Sequence, residues 1–181
     1  MGLAEPRVLV AAMGNVLRGD DGFGAAVLRR LSERGELPPQ VRAVDVGIGG
    51  IPLVQELLDG WEYLVIIDAV RRGKAPGTVM TLRPTVPVIS DAPAADVAGI
   101  IGDPHTTNPS RVLLLARALG VLPREIIILG CEPLTSDDDL RLGLSEPVAA
   151  AVDAAVDRVL GLLRHWIDKR APEPPLAVDA P

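Results

Sequence analysis

Several acidic residues and one histidine of this sequence fall in loops beside strongly apolar segments. Asp20 and Asp21 stand in a glycine-rich loop, Asp68 ends the apolar run YLVII, and His105 lies in the segment DPHTTNP. Carboxylate and imidazole groups from separate loops suit a borderline divalent metal ion and leave coordination positions open to exchange. A closed structural zinc site would usually offer four ligands and more sulfur. These residue types therefore predict an open cation site.

The glycine-rich loop, which runs from Gly14 to Gly24, does not fit a nucleotide-binding motif. A dinucleotide fingerprint needs G-x-G-x-x-G directly after a strand, and a phosphate loop needs G-x-x-x-x-G followed by Lys and then Ser or Thr. The gap from Gly14 to Gly19 is right for a phosphate loop, but Asp20 and Asp21 stand where those residues should be. Two carboxylates at a helix start would repel a phosphate. The natural partner of this loop is a cation.

Structural roles for the same residues stay open at this stage. Asp20 or Asp21 would serve as an ordinary N-cap of the first helix, because Asp is a common residue at that position. Asp68 would equally be a strand-end residue that is hydrogen-bonded to a neighbouring loop. His105 would be an ordinary loop histidine at the surface.

Other chemically capable residues are assigned structural roles. His165 lies among apolar residues of the last predicted helix, which indicates a partly buried structural residue. Cys131 ends a predicted strand and is expected to be a small buried hydrophobe. The run Asp137-Asp138-Asp139 lacks the spacing and the terminal Glu of a calcium loop and is predicted to be a solvated turn.

Strand-like and helix-like segments alternate along the chain. The spacing of apolar residues predicts strands at Arg7–Met13, Val41–Val46, Tyr63–Ile67, Gly77–Leu82 and Glu125–Leu129, and helices at Gly22–Arg34, Ile51–Leu58, Pro109–Leu119 and Ser145–Lys169. This alternation predicts an α/β three-layer sandwich, with a mostly parallel, twisted five-stranded sheet and helices on both faces. In such sheets, functional residues collect in loops beyond the carboxyl ends of the strands.

Length and composition limit the number of domains and the kinds of partner that this chain can have. The length of 181 residues suits one domain, which we place at residues 1–170, and the Pro- and Ala-rich residues 171–181 are predicted to be a disordered tail. A net charge of -6 argues against nonspecific nucleic-acid binding. No apolar stretch approaches the roughly 20 residues of a membrane span, and the N-terminus does not resemble a signal peptide. With a single cysteine, these features predict a cytoplasmic monomer.

The motifs resemble those of the nickel-iron hydrogenase maturation proteases. The segment GNVLRGDDGFG, Gly14 to Gly24, resembles the opening motif of that family, and Ile67-Asp68-Ala69 resembles its second motif. His105 matches the histidine that the family carries in a loop ahead of a helix. Glu132-Pro133 resembles the exit of its last strand. The resemblance runs from about Arg7 to Leu163.

The resemblance implies an endopeptidase that removes the C-terminal extension of the hydrogenase large-subunit precursor after nickel insertion. It carries over Asp21, Asp68 and His105 as the metal ligands and catalytic residues, with nickel supplied by the substrate rather than held by the isolated protein. Some members of the family carry Glu where this chain has Asp21. The loop containing Asp45, Gly47 and Gly50 resembles a family segment and is a candidate for holding the substrate tail as an extended strand.

Two other functions remain open from the sequence. A nonproteolytic nickel carrier would use the same three ligands, although a carrier is usually richer in His or Cys than a chain with two and one. A small-molecule enzyme on a Rossmann-like fold is the other alternative, because a fold does not fix a function.

Overall fold

Five strands form one sheet at the centre of the computed structural model, which describes residues 6–35, 37–48, 50–87, 109–134 and 140–168. The strands are β1 (Val8–Met13), β2 (Val41–Gly47), β3 (Tyr63–Ala69), β4 (Val79–Leu82) and β5 (Glu125–Cys131). Their order across the sheet is β2-β1-β3-β5-β4. The edge strand β4 is antiparallel to β5, and the other pairs are parallel. The prediction of a mostly parallel five-stranded sheet is therefore confirmed.

Helices cover both faces of this sheet. The helices are α1 (Phe23–Glu33), α2 (Gly50–Leu57), α3 (Pro109–Ala118) and α4 (Glu146–Ile167). One hydrophobic cluster joins α1 and α4 to one face, and a second joins α2 and α3 to the other. The predicted three-layer α/β architecture is thus confirmed, and each predicted helix lies within two residues of its expected bounds.

The central strands are buried on both faces, which explains their unbroken apolar sequences. All six residues of β1 are buried, and so are the first six of β3. Side chains alternate across a strand, so Val8 and Val10 pack under α1 and α4 while Leu9 and Ala11 pack under α2 and α3. Such two-sided burial produces continuous apolar runs rather than an alternating pattern.

Ion pairs connect the exposed faces of α1 and α4. Arg30 and Arg34 both bind the carboxylate of Asp153, with Nε–Oδ1 and Nη2–Oδ1 distances of 2.8 and 2.9 Å. Hydrogen bonds from Arg30 and then Arg34 lower the pKa of Asp153 to about 2. These groups are solvent-exposed, so the pairs orient the two helices and add little stability.

Two strand bounds differ from the prediction in a way that affects the site. Strand β3 continues to Ala69, so Asp68 lies inside the ladder, opposite Gly130, rather than after the last residue of the strand. Strand β4 begins at Val79 rather than Gly77, because Gly77 adopts a turn conformation with φ of +83°.

Some predictions fall outside the described residues. They concern His105, the acidic run at 137–139 and the tail at 171–181. In the described part of the chain, no helix combines the length and apolarity that crossing a bilayer requires.

Candidate active site

A short 3-10 turn, Gly19–Gly22, carries the acidic pair Asp20 and Asp21 at the carboxyl end of β1. The loop reaches this position because Gly14, the first residue after β1, has a φ of +118°. A Cβ atom at Gly14 would lie only 1.9 Å from the backbone oxygen of Asp21. Glycine at position 14 therefore allows the chain to fold back so that Asp21 lies directly over the strand end.

The start of α1 is pressed onto the backbone of two strands. A Cβ atom at Gly24 would lie 2.5 Å from the carbonyl oxygens of both Met13 in β1 and Ile67 in β3. Only glycine permits this approach. The same contact brings the acidic turn next to the end of β3, where Asp68 follows Ile67.

Asp21 is partly buried and has a fixed orientation. Its Oδ2 atom accepts a hydrogen bond of 2.7 Å from the backbone N–H of Asn15. The Asn15 side chain in turn accepts a bond of 2.9 Å from the N–H of Leu17. The loop backbone thus holds the Asp21 carboxylate at the edge of the sheet, as a preorganised ligand or base requires.

Asp20 binds different parts of the chain from Asp21 and is completely buried. Its Oδ1 accepts a hydrogen bond of 2.7 Å from the N–H of Ser145, and its Oδ2 accepts bonds of 2.9 Å from the Ser145 hydroxyl and from the N–H of Leu134. Hydrogen bonds to a carboxylate are stronger than neutral ones. Asp20 therefore ties the first loop to the exit of β5 and to the start of α4.

The structure contradicts the alternative in which either aspartate caps the first helix. The N-cap residue of α1 is Gly22, and it makes no side-chain capping bond. Ser145, which was predicted to begin the last helix, is the residue before α4, and its hydroxyl donates to Asp20 rather than capping that helix. The buried role of Asp20 was not predicted, because adjacent residues on a turn point in different directions and their types do not indicate which points inward.

Asp68 is a nearly buried carboxylate in an otherwise apolar strand. It is only 7% exposed, and it lies two residues after Ile66 on the face that α2 and α3 cover. Its partner on β5 in the strand ladder is Gly130, which has no side chain to lie beside Asp68. Placing a carboxylate there costs free energy of solvation, which makes Asp68 a candidate for a functional residue.

The remaining predicted residues are only partly tested. Asp45 is exposed at the end of β2, and its Oδ1 accepts a 2.9 Å hydrogen bond from the N–H of Gly47. Gly47 accepts a bond from the N–H of Gly14, and Gly50 begins α2. Within the described ranges, no three His, Cys, Asp or Glu side chains form a group that could hold a metal ion. Because His105 lies outside those ranges, the three-residue site remains a prediction.

Glu132 is a second buried carboxylate that holds backbone in place. It is 5% exposed, and it accepts hydrogen bonds of 2.7 and 3.2 Å from the N–H groups of Arg72 and Gly73. These contacts anchor the loop that follows β3. The sequence pattern identified Glu132-Pro133 as a strand exit, and the burial of the carboxylate gives that exit a structural role.

Cys131 is expected to resist thiol reagents in the folded protein. Its side chain is completely buried, as predicted. Burial, followed by the carboxylates of Asp20 and Glu132, raises the pKa of the thiol from 9.0 to about 12. Since the thiolate is the reactive form, Ellman's reagent at about pH 8 should react at least roughly a hundredfold more slowly with native than with unfolded protein. Rapid labelling of the native protein would contradict this assignment.

The raised pKa of Cys131 also determines the direction in which stability changes at alkaline pH. The folded state retains the thiol proton above pH 9.0, where the unfolded chain loses it. The contribution of this group to stability is therefore lost progressively as the pH rises from about 9 towards 12.

The amino-acid sequence of this chain is similar to those of one known protein family. A sequence model of the family described as hydrogenase maturation protease matches residues 25–162. The hydrogenase expression/formation protein HupD of Rhodobacter capsulatus is 34% identical over 161 residues, which cover 88% of this chain and 72% of that protein.

Solved structures of similar proteins share the fold. The hydrogenase maturating endopeptidase HybD of Escherichia coli has a TM-score of 0.71 and 30% identity, covering 88% of this chain and 93% of that one. A hydrogenase 2 maturation peptidase of a Thaumarchaeota archaeon has a TM-score of 0.62 and 36% identity, covering 87% and 97%. The chain therefore belongs to the hydrogenase maturation protease family. It is a hydrolase that acts on peptide bonds, and the expected family resemblance is confirmed.

Proposed function

We propose that this protein removes the C-terminal extension of a nickel-iron hydrogenase large-subunit precursor after nickel has been inserted. Membership of the family supports the precursor as substrate. The observation that carries the proposal is the placement of Asp68, a 7% exposed carboxylate, at the strand end beside the turn that holds Asp21. An acidic edge of this kind attracts a cation held by the substrate.

The nickel of the precursor is proposed to meet Asp21, Asp68 and His105. Carboxylate oxygen and imidazole nitrogen suit a borderline divalent ion. Asp68 lies on the face that α3 covers, and α3 begins at Pro109, four residues after His105. Because α3 leads into the parallel strand β5, its first residue lies at the carboxyl edge of the sheet. Four residues span at most about 14 Å, so chain length allows His105 to reach the edge near Asp68.

The chemistry required is hydrolysis of one peptide bond. A water molecule adds to the scissile carbonyl, the bond to nitrogen breaks, and the released tail carries away a proton on its new amine. Asp21 and Asp68 would orient the substrate through its nickel, and a carboxylate would accept the proton of the attacking water. Polarisation of the carbonyl by the ion is the alternative source of activation. Cys131 takes no part as a nucleophile, because burial keeps its thiol neutral.

We further propose that the protein acts as a monomer in the cytoplasm and needs no membrane or nucleic acid. The single buried thiol suits a reducing compartment.

The experiment that tests this function compares two forms of one precursor. The purified protein is incubated with nickel-loaded and with nickel-free large-subunit precursor, and loss of the tail is followed by mass spectrometry. We expect the loaded precursor to be shortened and the nickel-free precursor to remain intact. If neither form loses its tail, the proteolytic function is overturned. Uptake of the metal by the protein would then favour a nickel carrier. Equal processing of both forms would overturn nickel recognition while leaving the protease intact.

A further inference from the structure

The loop that connects β3 to β4, residues 70–78, is fixed at both ends to the exit of β5. At its start, the N–H of Val70 donates to the carbonyl of Cys131 over 2.9 Å. Near its end, the N–H of Gly77 donates to the carbonyl of Glu132 over 2.8 Å. Compact surface loops whose ends are held together keep a defined shape and frequently carry function.

The carboxylate of Glu132 holds the middle of the same loop. Its two oxygens accept hydrogen bonds of 2.7 and 3.2 Å from the N–H groups of Arg72 and Gly73. Gly73 has a left-handed φ of +68°, and at such a turn two successive N–H groups can converge on one anion. Burying a carboxylate costs free energy, which these charge-assisted hydrogen bonds offset. A buried charge is thus used to fix the backbone at Arg72.

The side chain of Arg72 is exposed, in contrast to its fixed backbone. Its guanidinium makes no hydrogen bond or ion pair with the residues that the structure describes, whereas Arg71 and Lys74 nearby are each engaged in another interaction. A guanidinium has five N–H donors and no acceptor, so its ligand must supply acceptor oxygens. A cation on a backbone that is held in place is the arrangement required to bind a group from outside the chain.

Arg72 lies at the same edge of the sheet as Asp68. The two residues are four positions apart, which span at most about 14 Å. Ala69, the last residue of β3, pairs with Cys131, and Glu132 follows Cys131 directly. The bond from Glu132 therefore places the backbone of Arg72 across the ends of β3 and β5. Since an extended peptide rises about 3.4 Å per residue, residues within a few positions of a scissile bond at Asp68 come within reach of Arg72.

We propose that Arg72 binds the precursor through acceptor oxygens close to the scissile bond, and that Glu132 is the residue that positions Arg72. This inference rests on the proposed function. The oxygens belong to a carboxylate side chain or to main-chain carbonyls of the precursor, because both accept from the same planar set of donors. Loss of the Glu132 carboxylate would free the backbone of Arg72, so ordering the guanidinium on the substrate would then cost more entropy.

The test is a double-mutant cycle that follows tail removal from the full-length, nickel-loaded precursor over a series of precursor concentrations. Arg72→Ala is expected to raise KM about tenfold, since it removes charge-assisted hydrogen bonds, and to change kcat less than about twofold. Glu132→Gln keeps the volume but replaces one acceptor by a donor, and it should raise KM about threefold. The double variant should have the KM of Arg72→Ala alone, because no guanidinium is left to position.

The matched control is Arg124→Ala. Arg124 is an exposed arginine directly before β5, at the opposite edge of the sheet. This variant removes the same side chain and the same charge from the protein, and it should keep the wild-type KM.

Ionic strength separates the two sources of the acceptor oxygens. If Arg72 binds a carboxylate, the ratio of the KM of Arg72→Ala to that of the wild type should fall as NaCl is raised from about 0.05 to about 0.5 M, because salt screens exposed charges. If Arg72 binds main-chain carbonyls, the ratio should stay near tenfold over this range.

The remaining outcomes separate this inference from the proposed function. If the wild type leaves the tail in place, the proposed function fails. If the wild type removes the tail and Arg72→Ala keeps its KM, the inference is wrong and the proposed function stands. If Glu132→Gln lowers the thermal midpoint and its effect on KM is absent or adds fully to that of Arg72→Ala, Glu132 supports the fold alone and does not position Arg72.

Discussion

Replacing Asp68 by asparagine is expected to slow tail removal from the nickel-loaded precursor by roughly a hundredfold to ten-thousandfold. The substitution preserves the shape of a side chain that is only 7% exposed. It removes the negative charge that would hold the ion or accept a proton from water. The measurement is the single-turnover rate, followed by mass spectrometry of the released tail.

A matched control separates the loss of this carboxylate from the general effect of removing a negative charge. Asp59→Asn changes an exposed aspartate after α2, at the opposite edge of the sheet, and should process the precursor at the wild-type rate. Wild-type processing by Asp68→Asn would remove Asp68 from the site.

Replacing Asp20 by alanine is expected to lower the free energy of unfolding by about 3–5 kcal/mol. The carboxylate is completely buried and accepts three hydrogen bonds from Leu134 and Ser145. Its removal leaves two backbone N–H groups without their acceptor. Denaturant unfolding, monitored by the fluorescence of Trp61 and Trp166, measures the loss.

Asparagine at position 20 distinguishes hydrogen bonding from packing. The amide keeps the volume but turns an NH2 donor towards one of the donors that the carboxylate binds, so most of the loss should remain. Asp59→Ala, at an exposed position, should change stability by less than about 0.5 kcal/mol. A stable Asp20→Ala protein would mean that the links to Leu134 and Ser145 contribute little.

The layers of this fold could be predicted because its strands and helices differ in local pattern. The buried runs in β1 and β3 are apolar on both faces, whereas the helices carry apolar residues at helical spacing. Strand order and the reversed direction of β4 could not be predicted from these patterns, because they depend on contacts between distant segments. The end of β3 was misjudged by two residues, because a strand with Asp68 before its last residue, Ala69, loses its apolar pattern before its hydrogen bonds end.

The candidate site was predictable in its residue types but not in their directions. Asp20 and Asp21 are chemically identical and adjacent, yet Asp20 is buried against Leu134 and Ser145, both more than a hundred residues away in the sequence, while Asp21 remains partly accessible.

The hydrogen bond between Asp20 and Ser145 has a consequence for folding during synthesis. The two residues are 125 positions apart, so the bond forms only after nearly the whole domain has left the ribosome. Until then, the loop that carries Asp21 lacks its anchor, whatever the N-terminal strands have already formed. The anchored position of the Asp21 loop is therefore reached only after the start of α4 has been synthesised.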